Sequence, residues 1–166
     1  MMRRIAAPAA MIAIGMLLAV SAAACGDDED EGAGGDGGGD KEEGSSVAVT
    51  LKEWEILPDK DSVPAGSVTF RAKNTGPDDP HELVVMKTDL APDKLPTAED
   101  GKADEEGAGV ELIGEIEEFA VGGEEELTFD LEPGKYVLLC NIVEEEEDGT
   151  MESHYKEGMH TAFTVE

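Results

Sequence analysis

The sequence predicts an all-β fold, an antiparallel β-sandwich, over residues 47–166, and three observations predict it. Apolar residues recur at every second position in short runs, which is the period of a strand with one buried face. Proline and glycine clusters separate the runs. Composition changes abruptly at residue 46, with a non-globular leader before it and strand-like sequence after it.

In the leader, residues 1–24 read as an export signal. Arg3 and Arg4 supply the positive end, an apolar run follows, and small residues precede Cys25. The apolar run is short for a membrane span. The Arg3-Arg4 pair lacks the rest of a twin-arginine consensus. A small-residue stretch ending in cysteine resembles the lipobox of bacterial lipoproteins, which implies that Cys25 becomes the lipidated first residue of an exported, lipid-anchored protein on the outer face of the cytoplasmic membrane or cell envelope. Ala22 stands where that family usually carries leucine, so cleavage after Ala24 to give a soluble product stays open. Residues 26–46, GDDEDEGAGGDGGGDKEEGSS, hold nine acids, eight glycines and no large apolar residue. Such a segment cannot bury enough surface to offset its ordering entropy and reads as a tether, spanning roughly 25 Å on average.

Within the domain, Val47, Val49 and Leu51 alternate, and Trp54 and Ile56 continue on the opposite parity, which predicts a β-bulge at Lys52 and Glu53. Val68, Phe70 and Ala72 form the next run after Pro64-Ala65-Gly66. His81, Leu83 and Val85 follow the loop NTGPDDP. A long irregular excursion is expected over 89–118, with a helical turn near 93–95. Leu127, Phe129 and Leu131 then alternate, followed by Tyr136, Leu138 and Cys140 on one face, and by Thr161, Phe163 and Val165.

Residues 47–166 carry nine basic and 31 acidic side chains, a net charge of about −22 with histidine neutral. Nucleic acid and anionic headgroups are repelled by such a surface. The charge reads either as a solvated acidic surface or as a field that steers a basic partner.

Cysteine usage narrows the chemistry. With Cys25 taken by lipid, Cys140 has no intrachain partner for a disulfide, and an exported free thiol is oxidised unless it is buried or bound to metal. Burial as a small hydrophobe on an apolar strand accounts for the thiol alone. The chain has only three histidines, however, and His154 and His160 follow Cys140 with Met159 between them, while His81 opens another strand. One thiolate, two imidazoles and one thioether suit a mononuclear copper site that transfers electrons, because soft sulfur donors favour Cu(I) and imidazole tolerates both oxidation states.

Two segments resemble the cupredoxins, the blue copper proteins related to plastocyanin and azurin. NTGPDDPHELVV is similar to the segment carrying their first histidine, and YVLLC followed by HYKEGMHTAFTVE is similar to their Cys-His-Met loop and last strand. The resemblance covers 47–166. It implies a Greek-key sandwich with one type 1 copper ion held by His81, Cys140, His154 and, weakly, Met159. It further implies a monomeric one-electron carrier, not an enzyme, that meets redox partner proteins. Copper storage or delivery, and a metal-free binding module with Cys140 merely buried, are the other readings. His160 alternates with Ala162, away from the Phe163 and Val165 face, and reads as a rim residue; Met151 is a rival axial donor. Thirteen residues separate Cys140 from His154, so IVEEEEDGTMES is an acidic insertion in the ligand loop. Glu82 stands where plastocyanin-like members often have asparagine, and Asn141 is no assured replacement.

Overall fold

The computed structural model describes residues 44–146 and 149–166. The expected export signal at 1–24, the expected lipidation at Cys25 and the expected tether up to residue 43 lie outside the described residues. Among the described residues, no helix is long and apolar enough to cross a membrane.

Among the described residues there are eleven strands: β1 (Ser45–Lys52), β2 (Glu55–Pro58), β3 (Ser62–Val63), β4 (Gly66–Asn74), β5 (His81–Thr88), β6 (Val110–Phe119), β7 (Glu124–Leu131), β8 (Gly134–Leu139), β9 (Val143–Glu145), β10 (Met151–Ser153) and β11 (His160–Val165). One four-residue helix, α1 (His154–Glu157), lies between β10 and β11. The strands form one sheet in the order β2-β1-β4-β7, a second in the order β3-β11-β8-β5-β6, and a separate β9-β10 hairpin.

The expected all-β sandwich is therefore present. Its pairings are mostly antiparallel, but β1 runs parallel to β4 and β3 parallel to β11. Alternation reveals which face of a strand is buried and is silent on the direction of its neighbour, so these parallel pairs had no signature in the sequence.

The alternating residues meet where the two sheets face each other. Val47, Val49 and Leu51 of β1 and Val68, Phe70 and Ala72 of β4 pack in one core with Leu83, Val85, Tyr136, Leu138, Phe163 and Val165 of the opposite sheet. Phe70 and Phe163 meet edge to face across the sandwich, with ring centroids 5.4 Å apart. Each fully buried side chain of this size contributes about 1.5–3 kcal/mol relative to exposure.

The β-bulge expected at Lys52 and Glu53 is not there. The chain reverses instead: β1 and β2 form an antiparallel hairpin in which Leu51 pairs with Ile56 and Lys52 with Glu55, leaving Glu53 and Trp54 as its two-residue turn. Partners across such a turn are an odd number of residues apart, so Leu51 and Ile56 share a face while the sequence parity changes, as it would at a bulge.

The irregular excursion is also shorter than 89–118. It holds a 3-10 turn at Pro92–Lys94, close to the helical turn expected at 93–95, but from Val110 the chain is strand β6, paired with β5. Register irregularities between His81 and Leu83 and between Val85 and Met86 break the alternation of β6 against its partner and hide the strand. Gly114 belongs to the same disguise: a Cβ there would lie 2.7 Å from Phe129 Cε1, so the position admits only glycine unless Phe129 moves.

Residues of the excursion cover the outer face of the second sheet. Leu95 and Ala103 pack there with Val84, Met86, Val137, Leu139 and Tyr155, which buries β5 and β8 on both faces. The Tyr155 hydroxyl accepts the Leu95 N–H at 3.0 Å and donates to the Pro92 carbonyl at 2.8 Å. Helix α1 and the excursion are thereby fastened together beside the end of the sandwich where β5 begins and β8 stops.

Candidate metal centre

Three loops meet at that end. The first, 75–80, delivers His81 to the start of β5. Asn74, fully buried, shapes it by donating from Nδ2 to the carbonyls of Asp79 and Phe119 and accepting the Gly76 N–H at 2.8 Å. Gly76 has φ of 64°, the left-handed region that glycine takes without strain. From the β1–β2 turn, the Glu53 carboxylate accepts the N–H groups of Asp78 and Asp79 at 3.0 and 2.8 Å and closes the loop from outside.

Cys140 follows β8 directly. Its N–H donates to the Met159 carbonyl at 3.0 Å, and the next N–H, of Asn141, donates to Glu82 Oε1 at 2.9 Å. Glu82 thus ties the cysteine loop to the histidine strand and performs the loop-fixing task for which its sequence offered no assurance. The Asn141 side chain instead pairs with both backbone groups of Ala103 and with Glu105, pinning the excursion.

The insertion is an ordered hairpin where described, β9 pairing with β10, and it returns the chain to α1. His154 opens that helix. Its N–H donates to the Ile142 carbonyl at 3.0 Å, and Ser153 caps the helix by accepting the Lys156 N–H while its hydroxyl donates to the Gly101 carbonyl. Gly158, at φ of 121°, ends the single turn, and the Met159 N–H donates back to the His154 carbonyl at 2.9 Å. One helical turn thus brings His154 and Met159 to the same end of the core.

The side chains converge as their loops do. His154 Nδ1 lies 3.2 Å from Cys140 Sγ and 3.2 Å from His81 Nδ1, and His81 Nδ1 lies 4.0 Å from Cys140 Sγ. All three residues and Met159 are fully buried, and Met159 shares the core cluster of Cys140. Trp54 meets the His154 ring edge to face at 5.1 Å. His160 stands apart, half-buried against the Tyr155 ring, and Met151 is 55% exposed on the hairpin.

Burial governs the electrostatics. It pushes the Cys140 thiol up to about 12 and takes His154 down to about 4, with the neighbouring His81 ring adding to the second shift. His81 is lowered by burial as well, against the pull of Glu53 and Asp79. Without metal, the site therefore holds a protonated thiol and neutral imidazoles. Among the described residues, the buried side-chain polar atoms lacking a hydrogen-bond partner are His81 Nε2, His154 Nε2 and Glu53 Oε2, and all three border this cluster. The two outward imidazole nitrogens face carboxylates beyond hydrogen-bond range, Glu53 Oε1 at 3.8 Å from His81 and Glu144 Oε2 at 4.0 Å from His154.

The donor spacing suits one small metal ion. Two nitrogens about 2.0 Å and one sulfur about 2.3 Å from a shared centre, in trigonal arrangement, are about 3.5–3.7 Å from one another. The observed separations of 3.2, 3.2 and 4.0 Å bracket that range. Sequence reasoning missed Glu53 as a neighbour of the cluster and Trp54 as its cover. Both sit in a turn whose existence the sequence disguised.

No protein-family model matches the sequence, and no curated protein matches it. Solved structures do. Reduced auracyanin from the photosynthetic bacterium Roseiflexus castenholzii is 24% identical, with a TM-score of 0.51 over 74% of this chain and 97% of that one. Auracyanin A from Chloroflexus aurantiacus, described as a blue copper protein, is 18% identical, with a TM-score of 0.46 over 74% of this chain and all of that one. Rusticyanin from Thiobacillus ferrooxidans is 17% identical, with a TM-score of 0.47 over 74% and 79% of the two chains. On the first of these likenesses, together with the sheet order and the histidine-cysteine loops, the chain has the cupredoxin fold.

Proposed function

We propose that this protein is an extracytoplasmic, membrane-tethered copper protein that carries single electrons between redox partners. The observation that carries the reading is the convergence of His81 Nδ1, His154 Nδ1 and Cys140 Sγ, all on fully buried residues, within 4.0 Å of one another, with Met159 buried in the same core cluster as Cys140. His81, Cys140 and His154 would hold one type 1 copper ion as its strong ligands, and Met159 would be the weak one. Bound there, the ion would supply a one-electron couple, Cu(II)/Cu(I).

The chain's own residues account for the rest. The Cys140 thiol loses its proton on metal binding, since the thiolate is the ligand and burial otherwise keeps the proton in place. Glu82, Ser153 and the Met159 carbonyl lock the three loops, so that neither oxidation state demands much movement of the donors. The absence of exposed donors among the four residues favours electron exchange over delivery, because a site that hands over its ion needs ligands that a recipient can reach. A carrier and no enzyme is proposed, as the four side chains fill the coordination positions and leave none for substrate.

Tethering rests on the residues before position 44: Cys25 after its small-residue stretch, and the acidic, glycine-rich segment that follows. Redox partner proteins and a monomeric state are part of the same proposal. The test is copper loading of residues 44–166. A carrier gives an intense thiolate-to-Cu(II) charge-transfer band that bleaches and returns through repeated reduction and oxidation. Tight Cu(I) uptake without that band would point to storage or delivery, and no uptake to a metal-free module.

A further inference from the structure

His81 Nε2 and Glu53 Oε2 are each buried without a hydrogen-bond partner, while the Glu53 oxygen that faces His81 is Oε1. Were His81 Nδ1 to ligate a metal shared with Cys140 and His154, its proton would sit on Nε2, and this atom is buried without a hydrogen-bond partner. Glu53 Oε1 lies 3.8 Å from it. The Glu53 side chain is only 10% exposed, its Oε1 is held by two backbone N–H groups, and its Oε2 is buried without a partner. Two backbone bonds to one oxygen explain why the side chain is fixed, but stapling a loop does not require a charge beside a buried imidazole. Asparagine or glutamine would accept the same two bonds without the desolvation of an ion.

The charge has a use if the cluster holds copper. Thiolate and Cu(II) sum to +1, whereas thiolate and Cu(I) sum to zero, so a fixed carboxylate beside the site favours the oxidised state. A histidine ligand is in turn oriented by whatever accepts its other N–H. The 3.8 Å gap exceeds a hydrogen bond, and a shift of under about 1 Å closes it.

We infer that Glu53 is a positioning residue of this centre: it takes the His81 Nε2–H, keeps Nδ1 aimed at Cys140, and biases the site toward Cu(II). The inference rests on the copper reading above for its redox part, and on geometry alone for its hold on the ring.

Glu53→Gln separates charge from stapling, because the amide oxygen still accepts the Asp78 and Asp79 N–H groups. Glu55→Gln, which removes an exposed charge two residues away, is the control. In copper-loaded protein, Glu53→Gln should weaken the preference for Cu(II) over Cu(I) about tenfold, which is a potential raised by about 59 mV for one electron. Glu55→Gln should shift it far less. In metal-free wild type, long-range proton-nitrogen spectra should show His81 as the Nε2–H tautomer, and Glu53→Ala should mix the tautomers. A potential in Glu53→Gln equal to that of wild type or of Glu55→Gln overturns the inference, as does an Nδ1–H tautomer in wild type. If wild type takes up no copper, the copper reading fails, and the tautomer still decides whether Glu53 governs His81. The same spectrum decides the matter should Glu53→Gln fail to fold.

Discussion

Individual residues at the centre differ in what they can be replaced by, and the two histidines near the C-terminus show it most sharply. His154 lies 3.2 Å from both Cys140 Sγ and His81 Nδ1, whereas His160 packs at a tilt against Tyr155 outside the cluster. His154→Ala should therefore abolish or strongly alter the visible copper spectrum, and His160→Ala should leave it nearly intact; the reverse pattern would reassign the ligands. Glu82 gives a second prediction, on stability. Burial pushes its carboxyl up from the ordinary 4.5 to about 7, with the Asn141 N–H working against the shift. A folded-state value above the unfolded one means that stability is full below pH 4.5 and is lost as pH rises through 7. Glu82→Gln keeps the acceptor for Asn141 and has no proton to lose. Metal-free Glu82→Gln should match wild type near pH 4 and exceed it above pH 7 by on the order of 2 kcal/mol, as denaturant unfolding at the two pH values will read. The convergence of His81, Cys140 and His154 was legible in the sequence because thiol and imidazole are scarce in this chain. The neighbouring Glu53 was not, because 40 acidic residues leave it without contrast.

Among the elements, the β9–β10 hairpin sets apart the loop between Cys140 and His154. Composition marked it as an acidic insertion; the structure gives it a paired register, with Val143 opposite Ser153 and Glu144 opposite Glu152. Ile142 precedes the hairpin and Ser153 closes its base opposite Val143, and these two hold His154 and its helix, so the distal part of the hairpin is dispensable for that hold. Deleting 144–151 should leave a copper-binding protein, since shortening a loop changes its closure entropy only slightly. The same deletion removes Glu144, 4.0 Å from His154 Nε2, and should raise the reduction potential, more at low salt than at high. A potential unchanged at every ionic strength would mean that the hairpin's charge does not reach the site. Elsewhere, elements with clean alternation were legible: β1, β4, β8 and β11 lie where their apolar runs placed them. The β1–β2 turn and β6 were not, for a two-residue reversal mimics a bulge in parity, and paired irregularities in β5 and β6 erase the period on which the reading depends.

For the whole molecule, charge and attachment dominate. Residues 47–166 at about −22 repel one another and any anionic surface, so a lipid at Cys25, if it anchors the chain, works against electrostatics and needs the apolar chains alone to hold. Full-length protein expressed in a lipoprotein-processing bacterium should partition with membranes or detergent, and Cys25→Ala should abolish lipid attachment. Recovery of wild type wholly in the soluble fraction would favour cleavage after Ala24. The proposed electron-carrier function depends on a buried thiolate bound to copper. The most direct measurement is the visible spectrum of copper-loaded wild type beside Cys140→Ser, with thermal unfolding of both metal-free proteins as the check on folding. Serine fits the cavity but cannot supply the soft anionic sulfur of the charge-transfer transition. The account predicts an intense band in wild type, its loss in Cys140→Ser, and a cooperative unfolding transition in both. The same band in the serine variant, or its absence from copper-saturated wild type, would contradict it.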